Sequence, residues 1–373
     1  MIDMVRASAD LPEVAGVLTK EELLATGSAI AAVQRPDGMI PWFEGGHCDP
    51  WNHVESAMAL TVCGLHDEAL RAYDWIINAQ LGDGSWFNYY FADGSVKDAR
   101  LDTNVCAYIA TGAWHHFLVT GALDHLERMW PAVERAVEFV LRWQGSDGSI
   151  AWAIDPAGRR ERYSLLAGSS SIFHSLRCAI AAAELLGKER PHWELAAGRL
   201  GHLVRHHPET FAPKSEFAMD WYYPVLSGAL GGPDGAKRIE QGWEAFVLAG
   251  SGVRCVSGSN WVTAAETAEC VLALDALGVE AAAVELFAAG QQLRLVDGSY
   301  WTGLAFPERR SFPADERTTY TAAAMVLAAD ALSRATPASG LFRGEGLPAP
   351  LDLADPDCPL AETCPRRVER SNV

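Results

Sequence analysis

Gln34-Arg-Pro-Asp37-Gly38 leading to Trp42, Gln80-Leu-Gly-Asp83-Gly84 leading to Trp86, and Gln144-Gly-Ser-Asp147-Gly148 leading to Trp152 are three copies of one short pattern in a chain of 373 residues. A looser copy runs from Gln292 through Asp297-Gly298 to Trp301. Each copy closes a stretch with helical apolar spacing. Gln ends the helix, Asp-Gly turns the chain, and an aromatic packs back. Apolar spacing and breakers give twelve helical segments: 19–35, 52–64, 66–80, 102–120, 123–143, 169–187, 191–206, 217–230, 233–248, 262–277, 279–294 and 316–335. Thr19 with Glu22 reads as a capping box, and Pro233-Asp234 opens another helix. The intervening segments hold Gly, Asp and Trp rather than alternating β-branched residues. The expectation is therefore twelve helices without a sheet, a departure from ordinary mixed composition. A repeated helix pair cannot bury its apolar face alone and must stack on its neighbours. Six pairs close naturally into a double ring of six inner and six outer helices, an all-α (α/α)6 toroid. Residues 1–335 would form this one domain, and the Pro- and Asp-rich residues 336–373 a tail packing on it or extending from it.

Apolar residues make up 49% of the chain, ample for a large core, and the formal charge is −18. That charge argues against nucleic acid and anionic membrane surfaces as partners, since both need a positive field. No run of about 18 apolar residues is present, and no basic-then-apolar leader opens the chain, so the reading is a cytoplasmic protein. Cys48, Cys63, Cys106, Cys178, Cys255 and Cys270 lie among the helical segments and read as small buried apolar residues in a reducing compartment. Cys358 and Cys364 fall in the tail, which reads as solvated rather than as a disulfide or metal site. Nothing in the sequence specifies an oligomeric state.

Six segments precede the even-numbered helices: His47 to His53, Arg100 to Asn104, Ala167 to Ser171, Asp220 to Tyr223, Asn260 to Glu266, and Asp315 to Tyr320. All are polar or aromatic. The helices after them become apolar all round, as at Ala57–Val62 and Ala322–Ala329, which marks buried helices. The even helices are thus the inner ring. In an alternating double ring their starts all point to one end, so the six polar segments converge on one mouth. Helix capping alone would place Asp102 and the Ser169–Ser171 run there. It does not account for Trp51, Trp221, Tyr222, Tyr223, Trp261 and Tyr320 at the same end. Aromatic rings among carboxylates suit a neutral oligo- or polysaccharide, whose flat faces stack on rings and whose hydroxyls donate to carboxylates. The alternative is that these aromatics plug the ring axis.

Cleaving a glycosidic bond takes two carboxyl groups, one protonated to assist the leaving oxygen and one to activate water or attack carbon. The carboxyls at the mouth are Asp49, Glu55, Asp102, Asp220, Glu266, Glu269 and Glu316. Glu266 falls in the first turn of an apolar inner helix, where burial would raise its pKa as an acid requires. Glu269 lies one turn deeper, as a substrate contact or a buried partner. Asp49 sits in a loop, free to hold a water. The preferred pair is Asp49 as base and Glu266 as acid, with Asp220 the first substitute for either. The expected substrate contacts are Trp42, Trp51, Asn52, His53, Asp102, Asn104, Ser170, Asp220, Trp221, Tyr222, Tyr223, Trp261, Glu269, Trp301 and Tyr320. No cofactor and no metal are expected. His47, Cys48, Asp49 and His53 look like zinc ligands, yet such a compact set is weak evidence for a structural or catalytic site.

Thr103-Asn104-Val-Cys-Ala-Tyr108-Ile-Ala-Thr-Gly-Ala-Trp114-His115, Met129-Trp130-Pro131 and Gly168-Ser-Ser-Ser-Ile172 resemble the glucoamylase-like (α/α)6 glycosidases. With Cys48-Asp49-Pro50-Trp51-Asn52-His53, Met219 to Pro224 and Trp261 to Glu266, the chain is similar over about residues 17–335 to an actinobacterial group of α-endomannosidases often labelled prenyltransferase. The resemblance implies inverting hydrolysis of internal α-(1→4) bonds in a 3-O-methylated mannose polysaccharide, releasing short primers. It implies that Glu266 and Asp49 carry the family's acid and base. Two other readings stand beside it. One is an isoprenoid-handling enzyme of the terpene cyclase or prenyltransferase type, which shares Gln…Asp-Gly…Trp repeats, although the Asp-x-Asp-Asp acid of class II cyclases is missing here. The other is a non-catalytic carbohydrate-binding toroid. A repeat describes a turn, not a reaction.

Overall fold

Short turns and long loops fall at opposite ends of the molecule. The computed structural model describes residues 10–351; Cys358 and Cys364 lie outside them. Its helices are α1 (Lys20–Val33), α2 (Pro50–Val62), α3 (His66–Asn78), α4 (Thr103–Ala107), α5 (Ile109–Thr120), α6 (Leu123–Leu141), α7 (Leu166–Leu185), α8 (Pro191–His206), α9 (Ala218–Leu226), α10 (Gly232–Phe246), α11 (Ala264–Ala276), α12 (Glu280–Gly290) and α13 (Thr319–Ser333). The segment expected as one helix over 102–120 is interrupted at Tyr108, between α4 and α5. Few residues join α2 to α3, α5 to α6, α9 to α10 and α11 to α12, so each of these is an antiparallel hairpin. Every long connection instead leads into α2, α4, α7, α9, α11 or α13.

Those same helices are buried nearly all round, as their apolar sequences require. Their contacts run α2 to α5, α5 to α7, α7 to α9, α9 to α11, α11 to α13, and α13 back to α2, a closed cycle. The remaining helices pack outside it, with α1 against both α13 and α2.

The Gln-Asp-Gly repeat is the fastener of the outer layer. Gln34 Nε2 donates to the carbonyls of Gly38 (3.0 Å) and Glu68 (2.9 Å), so the end of α1 is tied to α3. Gln80 does the same to Gly84 (3.0 Å) and Ala132 (2.9 Å), tying α3 to α6. Gln144 bonds Gly148 and Ala196, both at 3.0 Å, tying α6 to α8. The glycines must be glycines. Gly38 has φ +98°, and a Cβ there would lie 2.1 Å from the Arg71 carbonyl oxygen on α3. The fourth copy closes the set: Gly298 abuts Ala25 on α1, and Arg294 replaces Gln as the donor, to the Glu22 carbonyl at 2.9 Å.

The long connections are not strand-free, which corrects the expectation of helices without a sheet. They hold β1 (Tyr89–Tyr90), β2 (Val96–Asp98), β3 (Leu101–Asp102), β4 (Ala153–Ile154), β5 (Val247–Leu248), β6 (Gly252–Arg254), β7 (Trp261–Thr263), β8 (Gly303–Ala305) and β9 (Arg310–Ser311). β5 to β9 form one antiparallel sheet in chain order. Its strands are too short to alternate visibly in sequence, and they form because loop amides still need partners. β7 runs directly into α11, so this sheet aims the start of that helix.

Residues 336–351 lie across the other end. Arg343 pairs with Asp275 at 2.6 Å, Phe342 stacks on His174 at 5.0 Å, and Arg177 donates to the Pro348 carbonyl at 3.2 Å. The cycle is thereby covered where the inner helices end and left accessible where they begin.

Gln80→Ala removes the bonds donated to the Gly84 and Ala132 carbonyls and the one accepted from Arg135, and should cost about 1–3 kcal/mol of unfolding free energy in urea titration. A change below about 0.3 kcal/mol would mean the repeat does not fasten the outer layer.

Candidate active site

Asp49 is the N-cap of α2. Its Oδ1 accepts from the Asn52 amide at 3.0 Å, and its Oδ2 accepts from Asn52 Nδ2 and Trp42 Nε1, both at 2.7 Å. Trp42 comes from the first repeat, so the turn that fastens α1 to α3 also delivers an N–H to this carboxylate. Burial pushes the Asp49 pKa up, and the Asn52 and Trp42 donors pull it back down. The Trp51 backbone amide lies beside the same carboxylate and adds to these donors.

Glu266 occupies the first turn of α11 and accepts from the Thr263 hydroxyl, at the end of β7. It is half-buried, which corrects the expectation of a fully buried acid: β7 and the following turn leave its side chain at the mouth. The burial falls one turn deeper, on Glu269. There the hydroxyls of Tyr222 and Tyr223 (3.0 Å) donate to the carboxylate, and burial nonetheless pushes its pKa up to about 8. Glu55, deeper on α2, is pushed well above the usual carboxylate range by burial and by the charges of Glu269 and Asp49.

Aromatic residues fill the space between these acids. Tyr320, at the start of α13, feels the charges of both Glu266 and Asp49 and meets Trp42 edge-on at 4.9 Å. Trp51 packs on Tyr108 at 5.6 Å and on Tyr223 at 6.0 Å. Tyr108, at the break between α4 and α5, faces Glu55 and Glu269. Tyr89 and His47 flank Trp42 at 6.1 and 4.3 Å. Among the described residues, no ion pair involves Asp49, Glu55, Glu266 or Glu269. The arrangement can hold a neutral ligand against rings, polarise a water at Asp49 and present a second carboxyl, Glu266, that also neighbours Tyr320.

A relative then fixes the family. Over 359 residues the chain is 52% identical to the MMP endo-(1,4)-3-O-methyl-α-D-mannosidase of Mycolicibacterium hassiacum, across 96% of this chain and 99% of that protein. This chain belongs to that endomannosidase family. Its members are glycoside hydrolases, and so is this protein. An uncharacterised glycosyl hydrolase of Methanocaldococcus jannaschii is 25% identical over 115 residues, covering 31% of this chain and 18% of that one. No family model matches the sequence. Among solved structures, a glycosidase shares the fold at TM-score 0.66 with 14% identity, over 85% of this chain and 98% of its own. An α-amylase from Clostridium perfringens follows at 0.61, with 10% identity over 83% of this chain and 97% of its own. A D-mannose isomerase reaches 0.62 with 11% identity, over 83% and 95%. The isomerase shows that the fold alone does not choose the reaction.

The candidate site keeps Trp42, Asp49, Trp51, Asn52, Glu266 and Tyr320 together, and several residues expected as substrate contacts are engaged elsewhere in the fold. His53 is fully buried, accepting from the Ile40 amide at 3.1 Å and donating to the Ala72 carbonyl at 2.8 Å, so both ring nitrogens are occupied. It contacts neither sugar nor metal, and the His47-Cys48-Asp49-His53 set does not converge on one point. Ser170 is sealed inside α7, its hydroxyl on the Leu166 carbonyl at 2.8 Å. Trp221 stacks on Phe246 at 5.2 Å and donates to the Arg238 carbonyl at 2.9 Å, so it packs α9 against α10. Asp220 accepts from the Ala167 amide at 3.2 Å and anchors the start of α7. Asp102 caps α4 through the Asn104 (2.9 Å) and Val105 (3.1 Å) amides and takes the Trp152 indole N–H at 2.6 Å. Asn104 is buried behind that cap. Tyr222 and Tyr223 are buried with their hydroxyls on Glu269, so these three form a floor rather than a ligand surface. Trp261 donates to the Phe312 carbonyl at 2.7 Å, and Trp301 lies under Arg317 at 5.8 Å, both in the outer loops.

The residues passed over are Tyr108 and Tyr89, and Glu55, counted among the carboxyls of the mouth, is given no role. For Glu55 a signal existed, since it is an acid inside a helix otherwise apolar all round.

A carboxyl whose folded pKa is raised contributes stability that is complete below its unfolded pKa and is lost as pH climbs through the folded one. For Glu269 that window runs from its ordinary 4.5 to about 8. Glu269→Gln should match wild type in thermal stability at the acid end of the window and exceed it at the alkaline end. Equal losses at both ends would contradict a protonated Glu269.

Proposed function

We propose that this chain is an endo-acting α-(1→4)-mannosidase of 3-O-methylated mannose polysaccharide that works with inversion, through Asp49 as base and Glu266 as acid. The observation that carries this reading is the placement of Asp49: a capped, donor-supported carboxylate that shares Tyr320 as a neighbour with Glu266. Asp49 takes a proton from water as the water oxygen bonds to the anomeric carbon. The glycosidic C–O bond breaks, and the Glu266 proton goes to the departing sugar oxygen. Methyl ethers suit the rings of Trp51, Trp42 and Tyr320, which receive apolar groups without leaving a donor unpaired. The relative named as acting on 3-O-methyl-mannoside bonds supports that substrate. Short oligosaccharide primers would be the products.

The closed helix cycle with its outer layer reads as an (α/α)6 toroid, six helices inside and six outside. Residues up to 335 form its one domain, and the following segment belongs to its far cover. Among the described residues, no helix is long and apolar enough to cross a membrane. The six described cysteines are free thiols, which supports a cytoplasmic setting.

Asp49→Asn and Glu266→Gln should each lower hydrolysis of methylated α-(1→4) mannan by about 10³-fold or more while leaving the unfolding transition in place. Proton NMR of the first turnovers should show the new reducing end as the β-anomer. Full activity in either variant would remove that residue from its role, and an initial α-anomer would replace inversion by retention.

A further inference from the structure

Glu55 stands out among the buried acids because nothing satisfies it. Glu55 is 5% exposed, and among the described residues no hydrogen bond or ion pair reaches its carboxyl, whose oxygens are not among the fully sealed polar atoms and so keep a small opening toward the cleft. Glu269, by contrast, has two tyrosine hydroxyls, and Asp49 has Asn52 and Trp42. A buried carboxyl without a partner costs several kcal/mol unless it is neutral or its partner is a ligand. A second polar group on the same floor is also unmatched. The indole N–H of Trp51, one turn before Glu55 on α2, is buried without an acceptor.

The groups facing Glu55 come from every neighbouring helix. Asp49 lies on its own helix, Glu269 on α11, Tyr108 between α4 and α5, and Tyr223 on α9. None is basic. Three carboxyls thus share a low-dielectric floor with no cation, and they cannot all be ionised. Asp49, with its N–H donors, is the one suited to hold the charge. Glu55 is left as a neutral acid with one O–H to give and a carbonyl oxygen to accept.

We propose that Glu55 is a sugar-binding residue of the cleavage site: it carries a proton and holds a hydroxyl or ring oxygen of the mannose unit beside Asp49. The inference rests on the hydrolase reading above. It gives the floor a chemical purpose, because a neutral acid pairs with a sugar hydroxyl as both donor and acceptor. The bound sugar would satisfy Glu55 and would bring an oxygen within reach of the Trp51 indole N–H. An ionised Glu55 would lose its donor and repel Asp49, so binding should weaken as pH rises.

The test uses Glu55→Gln and Glu55→Ala in the full chain, assayed on methylated α-(1→4) mannan oligosaccharides from acid to alkaline pH. Glu55→Ala should raise KM about thirtyfold, since a charge-free hydrogen-bond pair in a dry site is lost. Glu55→Gln should raise KM only severalfold, because an amide still donates and accepts, and should abolish the rise of KM at alkaline pH seen in wild type. The protonated-carboxyl infrared absorption at neutral pH should be weaker in Glu55→Gln than in wild type by the share of one carboxyl, with that of Glu269 remaining in both. This reading needs no catalysis and survives if the alanine variant fails to fold. A wild-type KM and pH profile in both variants, or an undiminished infrared absorption, would overturn the proposal. Asp49→Asn is run alongside: if it keeps full activity, the assignment of Asp49 as base fails and not the Glu55 one.

Discussion

The centre of this molecule is governed by a shortage of positive charge. Asp49, Glu55 and Glu269 are gathered at the starts of two inner helices, in a space lined by Trp51, Tyr108, Tyr222 and Tyr223, and no lysine or arginine pairs with them. Burial penalises every one of these charges, so the protein must distribute protons among them. It does so by distributing hydrogen-bond donors. Asp49 receives Asn52 twice and Trp42 once; Glu269 receives two phenols; Glu55 receives nothing. Groups of one chemical type are thereby sorted into an anion, favoured at Asp49, and two neutral carboxyls, while the proposed proton donor to the glycosidic oxygen is the half-buried Glu266 at the mouth.

The donors are where they are because the helix layers are fastened where they are. Trp42 belongs to the same turn in which Gln34 ties α1 to α3. Trp152, in the third copy, reaches Asp102 in the same way. The repeat is thus a packing device at one end of the turn and an electrostatic one at the other. Likewise the small sheet is centred on β7, whose last residue, Thr263, donates to Glu266 three positions later. Phe342 and Arg343 cover the floor from the far end, and burial there makes the donors count.

The sequence made the helices legible because their signals are local: Gln, Asp-Gly and apolar spacing recur, and each corresponds to a bond now seen. The polar mouth followed from the same pattern. Direction was not legible. His53 and Trp221 sit at helix starts, as active-site residues do, but helix phase turns them toward Ala72 and Arg238 and into packing. Strands of two or three residues carry too few positions for alternation to register. Glu55 escaped for the opposite reason. It lies inside α2 rather than at its tip, where an acid reads as an anomaly of the core, and only the absence of partners shows its character.

The decisive observation is where a chain of methylated α-(1→4) mannose sits on inactive Asp49→Asn protein. A crystal structure of that complex should place a glycosidic oxygen between residue 49 and Glu266, with one sugar ring over Tyr320 and an oxygen of that sugar on Glu55. A saccharide bound instead in the outer cavity beside Arg160 and Tyr163, or at the end covered by Phe342, would contradict the assignment of this floor as the site of cleavage.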